Sequence, residues 1–279
     1  MKACRRILKL FILLHLACAM SCSFRKLAIS QADWLAMRQI NKYLDLNSEQ
    51  ELWLQPRVKS HIASVRKTML PHIADDLGQM AERFGDGISA EEINWSSERF
   101  YFWRSQLLGS LTDDAVQLIA GLKPAQLEHL QRVLDEGNDE DKEDLALERE
   151  AYVSKRRKQT IKQIEYWVGD LSPEQESHVM GVSPQSQDQQ RQWFDRRIGS
   201  QKKIMAFLRS SPGPEAIRKQ VQAWGDHPGI LWDMTDEEME RSRLSRLQRY
   251  ELISRVLTKK QVEHLVAEIN DLRSDLIGQ

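Results

Sequence analysis

Three histidines occupy equivalent places in this chain. His129, His178 and His264 each stand three residues after a glutamine, at Gln126, Gln175 and Gln261. Imidazole is a common zinc ligand, and three at matching positions would make a site if their helix starts converged. The same offset suits a half-buried polar residue at a helix edge, and that is the reading adopted: no metal ligand and no cofactor is assigned. Glu128-His129 and Glu263-His264 do not strengthen the metal case, because adjacent helical residues do not face each other. The acid pairs Glu91-Glu92 and Glu237-Glu238 fall in expected first turns, where the helix dipole favours negative charge. A glycan-hydrolysing carboxylate pair is open in principle, but no spacing selects one. The chain lacks His-Glu-x-x-His, Gly-x-Ser-x-Gly, a phosphate loop and Gly-x-Gly-x-x-Gly. No catalytic residue is assigned, and the chain is not expected to be an enzyme.

The cysteines point to a different chemistry. All three (Cys4, Cys18 and Cys22) lie in or beside a short basic and apolar N-terminal segment. The rest of the chain has no thiol, which excludes a disulfide framework, cysteine–metal sites and a cysteine nucleophile there. Lys2, Arg5, Arg6 and Lys9 precede the apolar run Leu10 to Ala17. That run is too short for a comfortable transmembrane helix and reads as an export signal. A cysteine just after such a core, preceded by small residues, is the pattern of a bacterial lipoprotein. Cys22 follows Ala19-Met20-Ser21, and Cys18 follows His15-Leu16-Ala17. His15 fits poorly where an aliphatic is preferred, so Cys22 is the preferred lipid attachment site. An ordinary cleaved secretory signal is the plainer alternative. Ser23 rather than Asp follows Cys22, which favours the outer membrane over inner-membrane retention. Removing residues 1–21 takes away four cations and no acid, leaving 36 cations against 41 acids and a net charge of −5. That balance offers no general attraction to nucleic acid. Several fatty acyl chains, such as palmitate, would hold the protein firmly on a membrane.

The elements that position these residues are helices. The hydrophobic fraction is 41% and the charged fraction 29%, which suits helices with one buried and one solvated face. With 8 Pro and 13 Gly there is little provision for the turns of an all-β fold. The clearest stretch is Leu46 to Phe84. Asn47 is a good N-cap and Gln50 can reach back to it. Apolar residues follow at Leu54, Val58, Ile62, Val65, Met69, Ile73, Leu77, Met80 and Phe84, in steps of three or four. Pro71 predicts a kink near Thr68 to Pro71, and Gly85-Asp86-Gly87 predicts the end. The opening recurs at Ile88-Ser89-Ala90-Glu91-Glu92, Leu171-Ser172-Pro173-Glu174-Gln175, Met234-Thr235-Asp236-Glu237-Glu238 and Leu257-Thr258-Lys259-Lys260-Gln261. Weaker copies start at Leu111 and Leu122. The unequal intervals mark separate helix starts and not a solenoid.

The segment after the signal carries a family resemblance. Cys22-Ser23-Phe24-Arg25-Lys26-Leu27-Ala28, Ala32-Asp33-Trp34-Leu35 and Tyr43-Leu44-Asp45-Leu46-Asn47-Ser48-Glu49-Gln50 together resemble a family of uncharacterised Gram-negative lipoproteins with a domain of unknown function. The resemblance implies a lipidated Cys22 and a long Pro-interrupted helix, and it implies no activity. Ser21 departs from it, standing where Gly is expected. The recurrent opening also resembles the Leu-Thr-x-x-Gln element of small periplasmic chaperones of the Spy and CpxP type, although helix capping alone accounts for that local match.

Along the chain, residues 22–30 read as a tether and 31–279 as an α-helical periplasmic domain, with a possible internal linker at 210–214. Trp34 is expected in the core or, alternatively, at lipid headgroups. In Phe100-Tyr101-Phe102-Trp103, two aromatics are expected to pack inward and the others to meet a neighbouring helix or a partner groove. Gly137-Asn138 reads as a break. Lys155-Arg156-Arg157-Lys158 suggests a polyanion patch or, more plainly, a salt-bridged helix face. Gly181 to Gln190 is an expected polar connection, and Asp236–Val256 and Lys259–Ile277 an expected hairpin. The fold expected is all-α: an extended, mostly antiparallel multi-helix bundle after a cleaved signal peptide. The function expected is a non-catalytic binding or scaffolding lipoprotein on the periplasmic face of the outer membrane. Its partners would be the membrane, through acyl chains, and an envelope protein or polymer. A chaperone-like client binder and a cell-envelope enzyme are the alternatives.

Overall fold

A computed structural model of the chain describes residues 22–183, 186–227, 229 and 232–278. The expected signal peptide 1–21, with Cys4 and Cys18, lies outside the described residues. For Cys22 to Phe24 only the backbone is described.

The described residues form thirteen helices and no strand, an all-α multi-helix bundle. In chain order they are α1 (Cys22–Ser30), α2 (Ala32–Leu44), α3 (Ser48–Thr68), α4 (Leu70–Gly85), α5 (Ala90–Ser110), α6 (Thr112–Ala120) and α7 (Pro124–Leu145). Then follow α8 (Arg149–Val168), α9 (Pro173–Val182), α10 (Gln187–Arg209), α11 (Pro214–Asp226), α12 (Asp236–Ser254) and α13 (Lys259–Ile277).

The expected long helix is α3 and α4, broken at Met69. Asn47 caps α3: its Oδ1 accepts from the Gln50 N–H at 2.9 Å, and Gln50 Oε1 accepts from the Asn47 N–H at 3.1 Å. Pro71 has no N–H to bond the turn before it, and the chain bends at Met69 (φ −107°, ψ −46°). Hydrogen bonds continue on both sides, from Met69 N–H to Val65 and from Ile73 N–H to Met69. At the far end Gly85 is the last helical residue, and Gly87 takes the positive φ, +131°.

α4 and α13 form the closest helix pair. Ala74, Gly78 and Ala81 leave one side of α4 without bulk, and α13 lies along it. The Arg273 guanidinium rests on Gly78, where a Cβ would meet its central carbon at 3.1 Å. Two apolar clusters make the core. One gathers Ala81, Phe84 and Ile269, and the other Ile161, Val168, Leu171, Val179 and Ile253. Leu265 of α13 packs against both. Burying each large aliphatic contributes roughly 1.5–3 kcal/mol.

Several expectations need correction. The tether 22–30 is a helix docked on the body. Arg25, 3% exposed, has Nε 2.9 Å from Asp275 and Nη1 3.2 Å from Glu268, both on α13, and it donates to the Tyr166 hydroxyl at 2.8 Å. At the other end of α1, Arg66 donates to the carbonyls of Ile29 and Ser30. Gly137-Asn138 does not break α7. Both are buried, and the Asn138 amide donates to Gln201 and accepts from Arg197, both on α10. In the weaker copy at Leu111, Thr112 stands at the cap position but does not cap: it is the first residue of α6, and its hydroxyl donates to the Leu108 carbonyl. Ser186 starts α10 in the middle of the expected polar connection. α12 and α13 do not form a self-packed hairpin, since α12 lies on α5 and α9 while α13 lies on α4, α8 and α1. Leu244, one of the apolar positions of the expected hairpin, is half exposed. The chain does turn at 210–214, with Ser211 at φ +51° and Pro214 opening α11.

Candidate functional site

The histidines and glutamines singled out above meet at two helix crossings. At the first, Gln50 Nε2 donates to Gln126 Oε1 at 3.1 Å, and Gln126 Nε2 returns a bond to Gln50 Oε1 at 2.9 Å. The same amides reach backbone left open at opposing helix ends. Gln126 donates to the Leu44 carbonyl at 2.8 Å, and Gln50 to the Gly121 carbonyl at 3.2 Å. The second crossing repeats this. Gln175 and Gln261 exchange bonds of 2.8 and 3.0 Å, Gln175 donates to Val256, and Gln261 donates to Asp170. Each glutamine oxygen also accepts from the N–H at its own helix start. The repeated opening therefore does more than begin helices: in pairs, it fastens one helix junction to another.

The residue type explains which copies pair. An amide both donates and accepts, so two glutamines can satisfy each other. The copies at Ser89 and Thr235 carry Glu92 and Glu238 instead, and two carboxylates would only repel. Glu238 turns to Arg196, Oε1 to Nη2 at 2.8 Å. The Arg196 bond, helped by the Thr235 N–H, holds its carboxyl down to about 2.

The histidines serve the same crossings. His129 Nε2 lies 2.9 Å from the Lys42 carbonyl, and His178 Nε2 lies 3.0 Å from the Leu252 carbonyl. A carbonyl only accepts, so Nε2 carries the proton in both rings. The His264 ring sits beside Gly169. His129 thus belongs to one crossing and His178 and His264 to the other. Among the described residues, no group of three or more His, Cys, Asp or Glu is placed to hold a metal ion. Two of the basic quartet on α8 form ion pairs: Lys155 bonds Asp144 across the α7–α8 turn, and Arg157 bonds Glu176 at 2.9 Å, while Arg156 donates to Gln159.

A groove lies where the long helix bends. The break at Met69 opens a groove of about 300 Å³ against α5. Val65, Met69, Phe102 and Trp103 give it an apolar wall, while His61, Gln106 and the hydroxyls of Ser64, Thr68 and Ser110 supply polar edges. The aromatic run divides in two, with Tyr101 and Trp103 half-buried. Tyr101 accepts from Arg246 and Trp103 donates to Asp76 at 2.6 Å, while Phe100 and Phe102 are 51% and 43% exposed. Trp103 is held in place on several sides. Arg99 donates to Asp76 at 2.7 Å and lies over the Phe102 and Trp103 rings, and His72 stacks on Trp103. At the other end Asp114 bonds His61 at 2.7 Å and lies 3.2 Å from Arg57 Nε. His61, Asp114 and Arg57 at one end and Arg99 and Asp76 at the other are paired, and the wall between them is apolar. Periodicity did not reveal this groove, since it depends on the bend facing the aromatic run.

The model of a family of unknown function (DUF6279) matches residues 42–235, which include the groove and the whole first crossing. α1, nearly all of α2, and α12 and α13 fall outside the match. No curated protein and no solved structure matches the chain. With its model spanning well over half of the sequence, the chain belongs to the DUF6279 family of unknown function.

Proposed function

We propose that this protein is an exported lipoprotein, cut before Cys22 and acylated there. It stands on the periplasmic face of the outer membrane as a non-catalytic binding or scaffolding module. The observation that carries the binding role is the groove at the Met69 bend. It combines exposed aromatic surface with charges already paired along its edges. Such a surface selects an apolar side chain or helix face and makes little use of charge. The lipoprotein part is supported by the sequence around Cys22.

Two measurements test the two parts separately. Mass spectrometry of detergent-extracted protein is expected to give an acylated N-terminal peptide beginning Cys22-Ser23-Phe24-Arg25. Membrane attachment that persists in Cys22→Ala would redirect the anchor to Cys18 or to an uncleaved helix. For the groove, a photo-crosslinking residue at Phe102 is expected to capture an envelope protein in intact cells. The same residue at exposed Leu244 of α12 serves as control. Equal capture at both positions removes the groove from the argument.

The chaperone-like reading draws on the same groove, because a concave apolar surface is what a holder of unfolded chains would use. It predicts that the acyl-free protein suppresses aggregation of a denatured client and that Phe102→Ser reduces this. A scaffold predicts neither.

A further inference from the structure

The anchor proposed above leaves the body no slack. α1 begins at Cys22, and Arg25, one helical turn later, is buried among Tyr166, Glu268 and Asp275. Three residues of helix advance only about 4.5 Å. Arg66 fixes the other end of the same helix. Acyl chains on Cys22 would therefore bring α1, and α2 after it, up to the lipid surface with no flexible spacer between.

The outward side of these two helices fits such a surface. Their exposed side chains are Lys26, Leu27, Ser30, Gln31, Trp34 and Arg38. Leu27 and Trp34 are both more than half exposed, and they stand seven residues apart, on one side of two nearly continuous helices. The Arg38 guanidinium lies over the Trp34 ring, 5.2 Å from its centroid. Asp33, the one acid in α1 and α2, is half-buried. The protein from Cys22 onward carries a net charge of −5, so this is a basic, tryptophan-bearing face on an acidic molecule. Trp is favoured at headgroup depth, where its ring meets hydrocarbon and its N–H meets water. Basic side chains beside it meet lipid phosphates.

We infer that the outward face of α1–α2 lies in the headgroup layer of the membrane, with Trp34 and Leu27 inserted and Lys26 and Arg38 on phosphate. The body is then held in one orientation and does not swing from a leash. This rests on the anchor at Cys22, and the test supplies that anchor chemically so that the two ideas fail separately. The chain from Cys22 onward contains a single thiol, Cys22 itself. It is coupled through that thiol to a maleimide lipid in vesicles of phosphatidylethanolamine and phosphatidylglycerol containing a brominated phosphatidylcholine. Bromine quenches only tryptophans that reach the bilayer. Trp34→Phe is expected to abolish at least half of the quenching, and Lys26→Glu with Arg38→Glu to weaken it about two-fold. Trp193→Phe, a partly exposed site on α10, is expected to leave it unchanged. Circular dichroism establishes that each variant is folded. Quenching untouched by Trp34→Phe, or lost equally in Trp193→Phe, overturns the proposal. Cellular acylation has no bearing on this outcome, and a negative result here leaves acylation of Cys22 standing.

Discussion

Gln126 shows what one side chain can hold together. Its oxygen accepts from the Lys123 N–H and from Gln50, and its nitrogen donates to Leu44, Asp45 and Gln50. It is 6% exposed, so water cannot replace these partners. Gln126→Leu is expected to destabilise the fold by about 1–3 kcal/mol in urea unfolding, because it removes the side-chain donor to the Leu44 carbonyl and the exchanged pair of bonds with Gln50. Gln126→Glu is expected to be worse at neutral pH, where a carboxylate would face the Leu44 carbonyl. Its penalty is expected to shrink as the pH falls, since a protonated carboxyl can donate again. The glutamines at the third helical position were legible in the sequence as caps. Their pairing was not, because a cap is local while Gln50 and Gln126 are 76 residues apart. The distinction between Gln at 50, 126, 175 and 261 and Glu at 92 and 238 was in plain view, and chemistry alone separates the two kinds. The histidine offset was a real signal: it sets the His129 and His178 rings on backbone carbonyls, one beside each crossing.

Elements were read well where the information is local and poorly where a distant partner decides. Asn47, the apolar steps to Phe84 and the break before Pro71 follow from capping and from a missing N–H, and the sequence shows all three. Gly137-Asn138 resembles a helix end by residue type, but Asn138 spends its amide on Gln201 and Arg197 of α10. With that partner supplied, the helix continues. The α4–α13 contact depends on Ala74, Gly78 and Ala81, whose spacing reads merely as a weakly apolar face. Gly78→Ala is expected to cost less than about 1 kcal/mol, because its new methyl meets only the movable end of Arg273. Gly78→Leu must push α13 away, and overpacking of this kind costs typically 1–3 kcal/mol. Thermal unfolding of the two variants separates close packing from a mere absence of bulk.

At the scale of the molecule, fold class was legible and the arrangement was not. Caps, spacing and composition all indicate helices, yet α1 reads as a spacer because everything that holds it lies elsewhere. Arg25 and Glu268 are 243 residues apart, and no local pattern announces their meeting. Arg25→Gln is expected to lower stability by about 3–5 kcal/mol, since Asp275 stays buried beside a neutral amide. Arg25→Met combined with Asp275→Leu is expected to recover much of that loss, and urea unfolding of both variants checks it. The same ion pair also bears on the order in which the chain can fold. A polypeptide delivered amino end first presents Arg25 long before Asp275. Closing so long a loop is entropically costly and slow. α1 can therefore find its seat only after α13 has been delivered and folded, which makes its docking a late event.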